Sequence, residues 1–166
     1  VWGGIQYAAG PMQRIDYRKS NTVPEENRFD IEGLDENLNE PMELEVLPNG
    51  NVVFIQRHGE VMLYDGLTKQ TNLIHKFEVC TDFEDGLLGV ALDPQVEQNR
   101  QIYFFRSHPV DSMQIISSFT MNADYRSIDI KSEQILLTIP TQRLECCHAA
   151  GSLEFGPDQM LYIALG

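Results

Sequence analysis

The sequence predicts an all-β chain that forms part of a β-propeller. Short segments rich in Val, Ile, Leu and aromatic residues follow one another from residue 41 onward, separated by Gly, Pro, Asn and Asp turns. No sustained helical periodicity occurs after residue 40. One phrase, an apolar residue followed by a proline turn and an aromatic-bearing strand, recurs along the chain, which is typical of repeat architectures.

The segments with strand character can be placed individually. Each combines β-branched or aromatic residues with a turn signal at one or both ends. They are residues 42–47, 51–57, 60–65, 87–92, 101–107, 113–121, 133–139, 152–155 and 160–165.

The recurring phrase is centred on Pro48, Pro94 and Pro157, which lie 46 and then 63 residues apart. Propeller blades repeat at about 40–50 residues, and loop insertions lengthen the repeat. The alternative is independent use of a proline turn before the strands of a sandwich. Two to three blades fit in this stretch, and propellers close with at least four, so we expect the functional unit to include further sequence.

Composition narrows the classes of function. The net charge of −13 and the single short basic cluster at Arg14, Arg18 and Lys19 argue against nucleic-acid binding, which needs a basic patch. No apolar run approaches the ~20 residues that span a bilayer. An apolar fraction of 42% is sufficient for a packed core. These properties are compatible with a soluble surface and a neutral small substrate.

The three cysteines, Cys80, Cys146 and Cys147, form neither a disulfide framework nor a zinc pattern, because no CxxC pair is present. Two states are open for the adjacent pair. In an oxidising compartment it can close a strained ring that rigidifies one turn, or both thiols can be reduced and buried. We expect Cys80 to be a small buried apolar residue.

The chain divides near residue 25. Residues 2–10 resemble a short helical end that Gly10-Pro11 stops, and residues 20–27 are polar, contain Pro24 and are typical of a linker. We therefore predict a non-propeller segment over 1–25 and the first blades over 26–166. Since residue 1 is Val, the chain is expected to be processed or cut from a longer one.

Two motifs then carry a resemblance to a known family. Residues 82–94 (DFEDGLLGVALDP) and 146–163 (CCHAAGSLEFGPDQMLYI) resemble conserved strands of the glucose/sorbosone dehydrogenases, and the likeness extends over residues 40–166. It implies a six-bladed propeller whose enzymes use pyrroloquinoline quinone (PQQ) held by calcium. The Cys-Cys-His run resembles a branch in which the propeller follows a ThuA-like domain, with residues 3–10 as its last helix; a plain linker helix is the alternative.

The resemblance places His148 in the role of the catalytic base, and an imidazole with a pKa of about 6.5 suits that role. Alternatively, His148 is a hydrogen-bonded structural histidine near the central channel. The same resemblance places Glu84, Cys146 and Cys147 at the cofactor. Here Cys147 stands where an Asp often precedes the base, and Glu84 stands where some members have Gln.

The implied function is PQQ-dependent oxidation of an aldose or related sugar in the periplasm or outside the cell. Electrons would pass to a cytochrome or another acceptor, and the calcium ligands are expected beyond residue 166. The alternative is a propeller that binds carbohydrate or protein without catalysis, because one fold hosts many functions.

Overall fold

Three antiparallel sheets follow one another along the chain, the third of them a hairpin. The computed structural model describes residues 32–145, 149 and 151–166. The predicted boundary near residue 25 and the helical end before it lie outside the described residues. Residues Leu34–Gly166 form one unit.

Each of the first two sheets is a four-stranded meander in which sequential strands pair. The first has the order β1 (Pro41–Val46), β2 (Val52–Gln56), β3 (Glu60–Asp65), β4 (Gln70–Lys76). The second has the order β5 (Leu87–Leu92), β6 (Gln101–Ser107), β7 (Met113–Met121), β8 (Ile128–Pro140), with the one-turn helix α1 (Val96–Asn99) between β5 and β6. Four-stranded meanders of this kind are the blades of a propeller.

The third sheet is the hairpin of β9 (Leu153–Phe155) and β10 (Leu161–Ile163). It repeats the start of the first sheet, where Pro48-Asn49-Gly50 turns β1 into β2 and Gly50 has a φ of 81°. The described residues therefore comprise two blades and the opening of another, which confirms the predicted all-β, partial-propeller fold. They contain no helix of the length and apolarity that crossing a bilayer requires.

All nine predicted strand segments are present, but the fourth strand of the first sheet was missed. β4 has the sequence QTNLIHK, in which only Leu73 and Ile74 are large and apolar. It is the outermost strand of its sheet and half-exposed, so it carries a weak hydrophobic pattern. β8 begins at Ile128, five residues before the predicted start at residue 133. Its first residues are mostly exposed, so they also carry a weak hydrophobic pattern.

The core lies between the first two sheets. Phe77, Phe104 and Phe119 form an aromatic cluster whose ring centroids are 5.2–5.8 Å apart. Aliphatic residues of both sheets surround it, among them the fully buried Ile55 and Ile102. Burial of this apolar surface at ~25 cal/mol per Å² is the main term that holds the sheets face to face.

Side-chain hydrogen bonds and an ion pair join the sheets. Glu43 of β1 accepts from the Val90 N–H of β5 at 2.9 Å and from the Ser152 hydroxyl at 2.5 Å. At the end of β3, buried Asp65 pairs with Arg126, which lies in the loop between β7 and β8. Glu43 thus satisfies the Val90 N–H on the free edge of β5, which has no strand partner within the described sheet on that side.

Glu45 lies beside Glu43 on the same strand and accepts from the Leu92 N–H. Burial raises the pKa of its carboxyl group; the Leu92 hydrogen bond opposes this, and the nearby Glu154 and Glu43 charges add to it. Glu43 and Glu45 of β1 and Glu154 of β9 therefore lie near one another, where the first strands of the three sheets approach. Contacts of β5 with both β1 and β9 show that these strands are neighbours.

Two glycines allow β5 to approach the segment that precedes β9. A Cβ added at Gly89 would lie 2.0 Å from the Gly151 carbonyl oxygen, and one added at Gly151 would lie 2.6 Å from atoms of Leu88 and Phe105. This approach holds the segment after residue 148 against the second sheet.

We expect Gly89→Ala to lower the free energy of unfolding by about 1–3 kcal/mol, because the methyl group forces the two segments apart. Gly33→Ala is the matched control, since a Cβ there meets nothing within 4 Å. Chemical denaturation of both variants measures the difference. Equal stability of the two would contradict the close approach.

Candidate functional site

Two loops border a cavity of about 310 Å³ at one end of the second sheet. Residues 81–86 belong to the connection between β4 and β5, and residues 141–152 connect β8 to β9. Asp82, Phe83, Glu84, Arg143 and Ala149 are among the residues that line the space, which we call the loop cavity. Its volume is at the lower end of small-molecule sites.

One arginine organises the backbone of the first loop. Arg57 Nη1 donates to the carbonyls of Thr81 at 3.0 Å and Asp85 at 2.9 Å, and its side chain pairs with Glu40. Between those two carbonyls, Phe83 has a φ of 53°. An aromatic residue in the left-handed region costs of order 1–3 kcal/mol, and such strain persists where surrounding contacts hold it.

A second arginine joins the two loops. Arg143 Nε donates to Asp85 Oδ2 at 2.7 Å. Its other guanidinium nitrogens donate to the carbonyls of Asp111 at 2.7 Å and His108 at 2.8 Å. The other carboxylate oxygen, Oδ1, accepts from the Ser107 hydroxyl at 2.8 Å and from Gln114 Nε2 at 2.9 Å.

Asp85 is only 6% exposed, so its charge needs these partners. Burial by itself raises the pKa of this carboxyl group, but the hydrogen bonds from Ser107 and Gln114 and the Arg143 charge outweigh it, and the net pKa is lowered. Asp85 is therefore ionised at neutral pH, and its pairing with Arg143 is a buried ion pair with its hydrogen-bonding capacity satisfied.

Of the sequence-predicted site residues, Glu84 is described. Its carboxylate Oε2 accepts from the Ala149 N–H at 3.2 Å, so the structure brings Glu84 to the residue that follows His148 in the chain. Cys146, Cys147, His148 and Ala150 lie outside the described residues, and their roles stay predictions.

The charge of the loop cavity bears on what it can hold. Its described lining carries the carboxylates of Asp82, Glu84, Asp85 and Glu145. Among the lining residues that are described, Arg143 is the one cation, and Asp85 and two carbonyls engage its guanidinium. This wall suits a neutral, hydroxyl-rich molecule and supplies no cation for the carboxylates of PQQ. Within the described ranges no three His, Cys, Asp or Glu residues are grouped to hold a metal ion.

Sequence reasoning missed Arg57, Arg143 and Phe83. The two arginines act on residues 17 to 58 positions away, and no local pattern marks such pairings. Phe83 lies inside the motif that carries the family resemblance, where a large aromatic residue at a turn preceding Gly86 was a usable signal.

The fold is that of a partial β-propeller, and the loop cavity lies where two of its connecting loops meet. Comparison with known proteins narrows this class. The sequence model of the glucose/sorbosone dehydrogenase family matches residues 38–166. The chain belongs to this family.

Individual relatives agree with this assignment. Quinoprotein glucose dehydrogenase B of Acinetobacter calcoaceticus is 25% identical over 172 residues, covering 96% of this chain and 34% of that protein. A glucose dehydrogenase structure from Thermus thermophilus is 26% identical with a TM-score of 0.68, covering 78% of this chain and 38% of that one. PQQ-bound aldose sugar dehydrogenase from Streptomyces coelicolor shares the fold, with 23% identity, a TM-score of 0.71, and coverage of 82% and 40%. The chain thus spans about two fifths or less of the length of these relatives.

We expect Arg143→Met to lower the free energy of unfolding by about 3–5 kcal/mol, because it leaves the buried Asp85 carboxylate unpaired. Lys131→Met removes an exposed cation from β8 and is the control, with a change within about 0.5 kcal/mol. Urea denaturation of the full-length protein measures both. A loss below 1 kcal/mol for Arg143→Met would show that the ion pair does not hold the loops.

The lowered pKa of Asp85 predicts a pH dependence. A carboxyl group with a depressed native pKa contributes stability that is present above its unfolded-state pKa of about 3.9 and lost as pH falls through the native value. Asp85→Asn should therefore be less stable than the parent at pH 7, and the gap should narrow below about pH 4. Thermal midpoints from pH 7 to pH 2 test this, and parallel curves would contradict it.

Proposed function

We propose that the protein oxidises an aldose or a related sugar with PQQ as the acceptor of the hydride. The observation that carries the proposal is the family match over residues 38–166, which contains both loops of the cavity and the segment Cys146-Cys147-His148. The name of the Acinetobacter relative, a quinoprotein glucose dehydrogenase, supports both the cofactor and the class of substrate.

In the proposed reaction PQQ, when bound, would supply the acceptor for the hydride that leaves C1 of the sugar. His148 takes the proton of the C1 hydroxyl group, a role that an imidazole performs near neutral pH. Because the described wall of the loop cavity offers no unengaged cation, we assign that wall to the sugar. The contacts that PQQ and its calcium ion require belong to other parts of the protein.

The described residues contribute by positioning. Glu84 accepts the hydrogen bond from the Ala149 N–H and so holds the backbone just after His148. The Asp85–Arg143 pair fixes the loop that contains His148 to the loop that contains Glu84. Held in this way, the base and the substrate can meet without a large ordering cost at each turnover.

The setting of the reaction is also part of the proposal. A periplasmic or extracellular location suits the expected electron transfer to a cytochrome or another acceptor outside the cytoplasm. A disulfide between Cys146 and Cys147 would be compatible with that compartment.

We expect His148→Gln to lower kcat by at least 10²-fold, because general base catalysis typically contributes 10²–10⁴. The assay uses the full-length protein with PQQ and Ca²⁺, D-glucose and a redox dye. His75→Gln, on the outermost strand β4, is the control and should keep its rate. Circular dichroism checks that both variants fold.

Two outcomes would count against the proposal. A His148→Gln variant with full rate would remove His148 from the mechanism while leaving the activity. A parent protein that shows no turnover, and no change in quinone absorbance when titrated with PQQ and Ca²⁺, would contradict the dehydrogenase function and favour a binding propeller.

A further inference from the structure

Phe83 is a large apolar side chain that faces solvent at the loop cavity. It is 62% exposed and lines the cavity together with its neighbours Asp82 and Glu84. Its φ of 53° is a conformation that Gly or Asn adopts at lower cost. One position thus combines backbone strain with an aromatic ring that the described residues leave exposed.

The strain at Phe83 is held in place by the Arg57 guanidinium, which binds the carbonyls of Thr81 and Asp85 on either side of it. The Asp85–Arg143 pair fixes the same loop from its other side. These contacts hold the backbone on both sides of Phe83, and a pre-organised loop reduces the entropy lost when a ligand binds.

The groups around the ring define the ligand. Asp82, Glu84 and Glu145 are exposed and present carboxylate acceptors to the cavity. A sugar ring has an apolar face of C–H groups and an edge of hydroxyl donors. An aromatic face beside hydrogen-bond acceptors matches both parts of such a ring, and an aromatic side chain supplies a large contact area.

We propose that Phe83 is a platform on which the apolar face of a neutral aldose rests, and that the surrounding carboxylates bind its hydroxyl groups. This inference rests on the proposed dehydrogenase function and deepens it by naming a residue that selects the substrate. The same carboxylates repel an anionic sugar, since like charges near a surface interact unfavourably. The carboxylates around Phe83 thus favour a neutral sugar over its uronic acid.

The test uses the full-length protein with PQQ and Ca²⁺, assayed with D-glucose. Phe83→Ala should raise KM about tenfold with kcat nearly unchanged, because the ring binds the ground state and the transition state alike. Leu67→Ala is the control; Leu67 is 91% exposed in the β3–β4 turn and does not line the cavity. Its KM should stay at the parent value.

The Phe83→Asn variant distinguishes sugar binding by the Phe83 ring from a structural role of Phe83 in the loop. Asn tolerates a positive φ, so this variant should keep or raise the thermal midpoint while its KM rises as in Phe83→Ala. A variant that loses stability and keeps the parent KM would overturn the proposal and show that another part of the protein covers the ring.

Charge selection is tested with D-glucuronate, which is also an aldose. The parent protein should have a kcat/KM for D-glucuronate at least tenfold below that for D-glucose, and added salt should narrow the gap. Equal efficiency at low salt would overturn the role of the carboxylates. Failure of these tests with an active parent contradicts the platform alone, whereas an inactive parent contradicts the proposed function.

Discussion

The buried ion pair between Asp85 and Arg143 is the constraint on which the arrangement of the site depends. A carboxylate that is 6% exposed is costly unless it is paired, and here a guanidinium and two neutral donors meet that requirement. Because Arg143 also binds carbonyls of the β6–β7 turn, the pair joins two loops and a turn into one body. Arg143 is therefore held to the loop that contains Glu84.

Apolar packing, side-chain hydrogen bonds and one close backbone approach hold the sheets together around this pair. Apolar burial around Phe77, Phe104 and Phe119 joins the first two sheets, and side-chain carboxylates satisfy the strand edge of β5. The Gly89–Gly151 approach then brings the segment before β9 against β5. These contacts place side by side two loops that connect successive sheets, so that one cavity is lined by both.

Under the proposed function, the chemical character of the loop cavity fits the sugar and does not fit the quinone. Its acidic lining, in which the described cation is already engaged, is unfavourable for a polyanionic quinone and favourable for a hydroxyl-rich sugar. By resemblance, Cys147 stands where members often have an Asp that orients the base, and Glu84 stands where some have Gln. The Glu84 carboxylate nevertheless contacts the backbone after His148. Family membership is therefore compatible with a site whose details differ from other members.

The sequence by itself determined the fold class, because short β-branched and aromatic segments and proline turns are local signals that repeat with the blades. The motifs at residues 82–94 and 146–163 pointed to the family. It missed β4, whose exposed outer position removes the apolar pattern. Only the tertiary structure decided that Arg57 and Arg143 hold residues 81–86, since ion pairs between distant positions leave no periodicity in the chain. The strain and exposure of Phe83 likewise follow from those contacts and not from its neighbours in sequence.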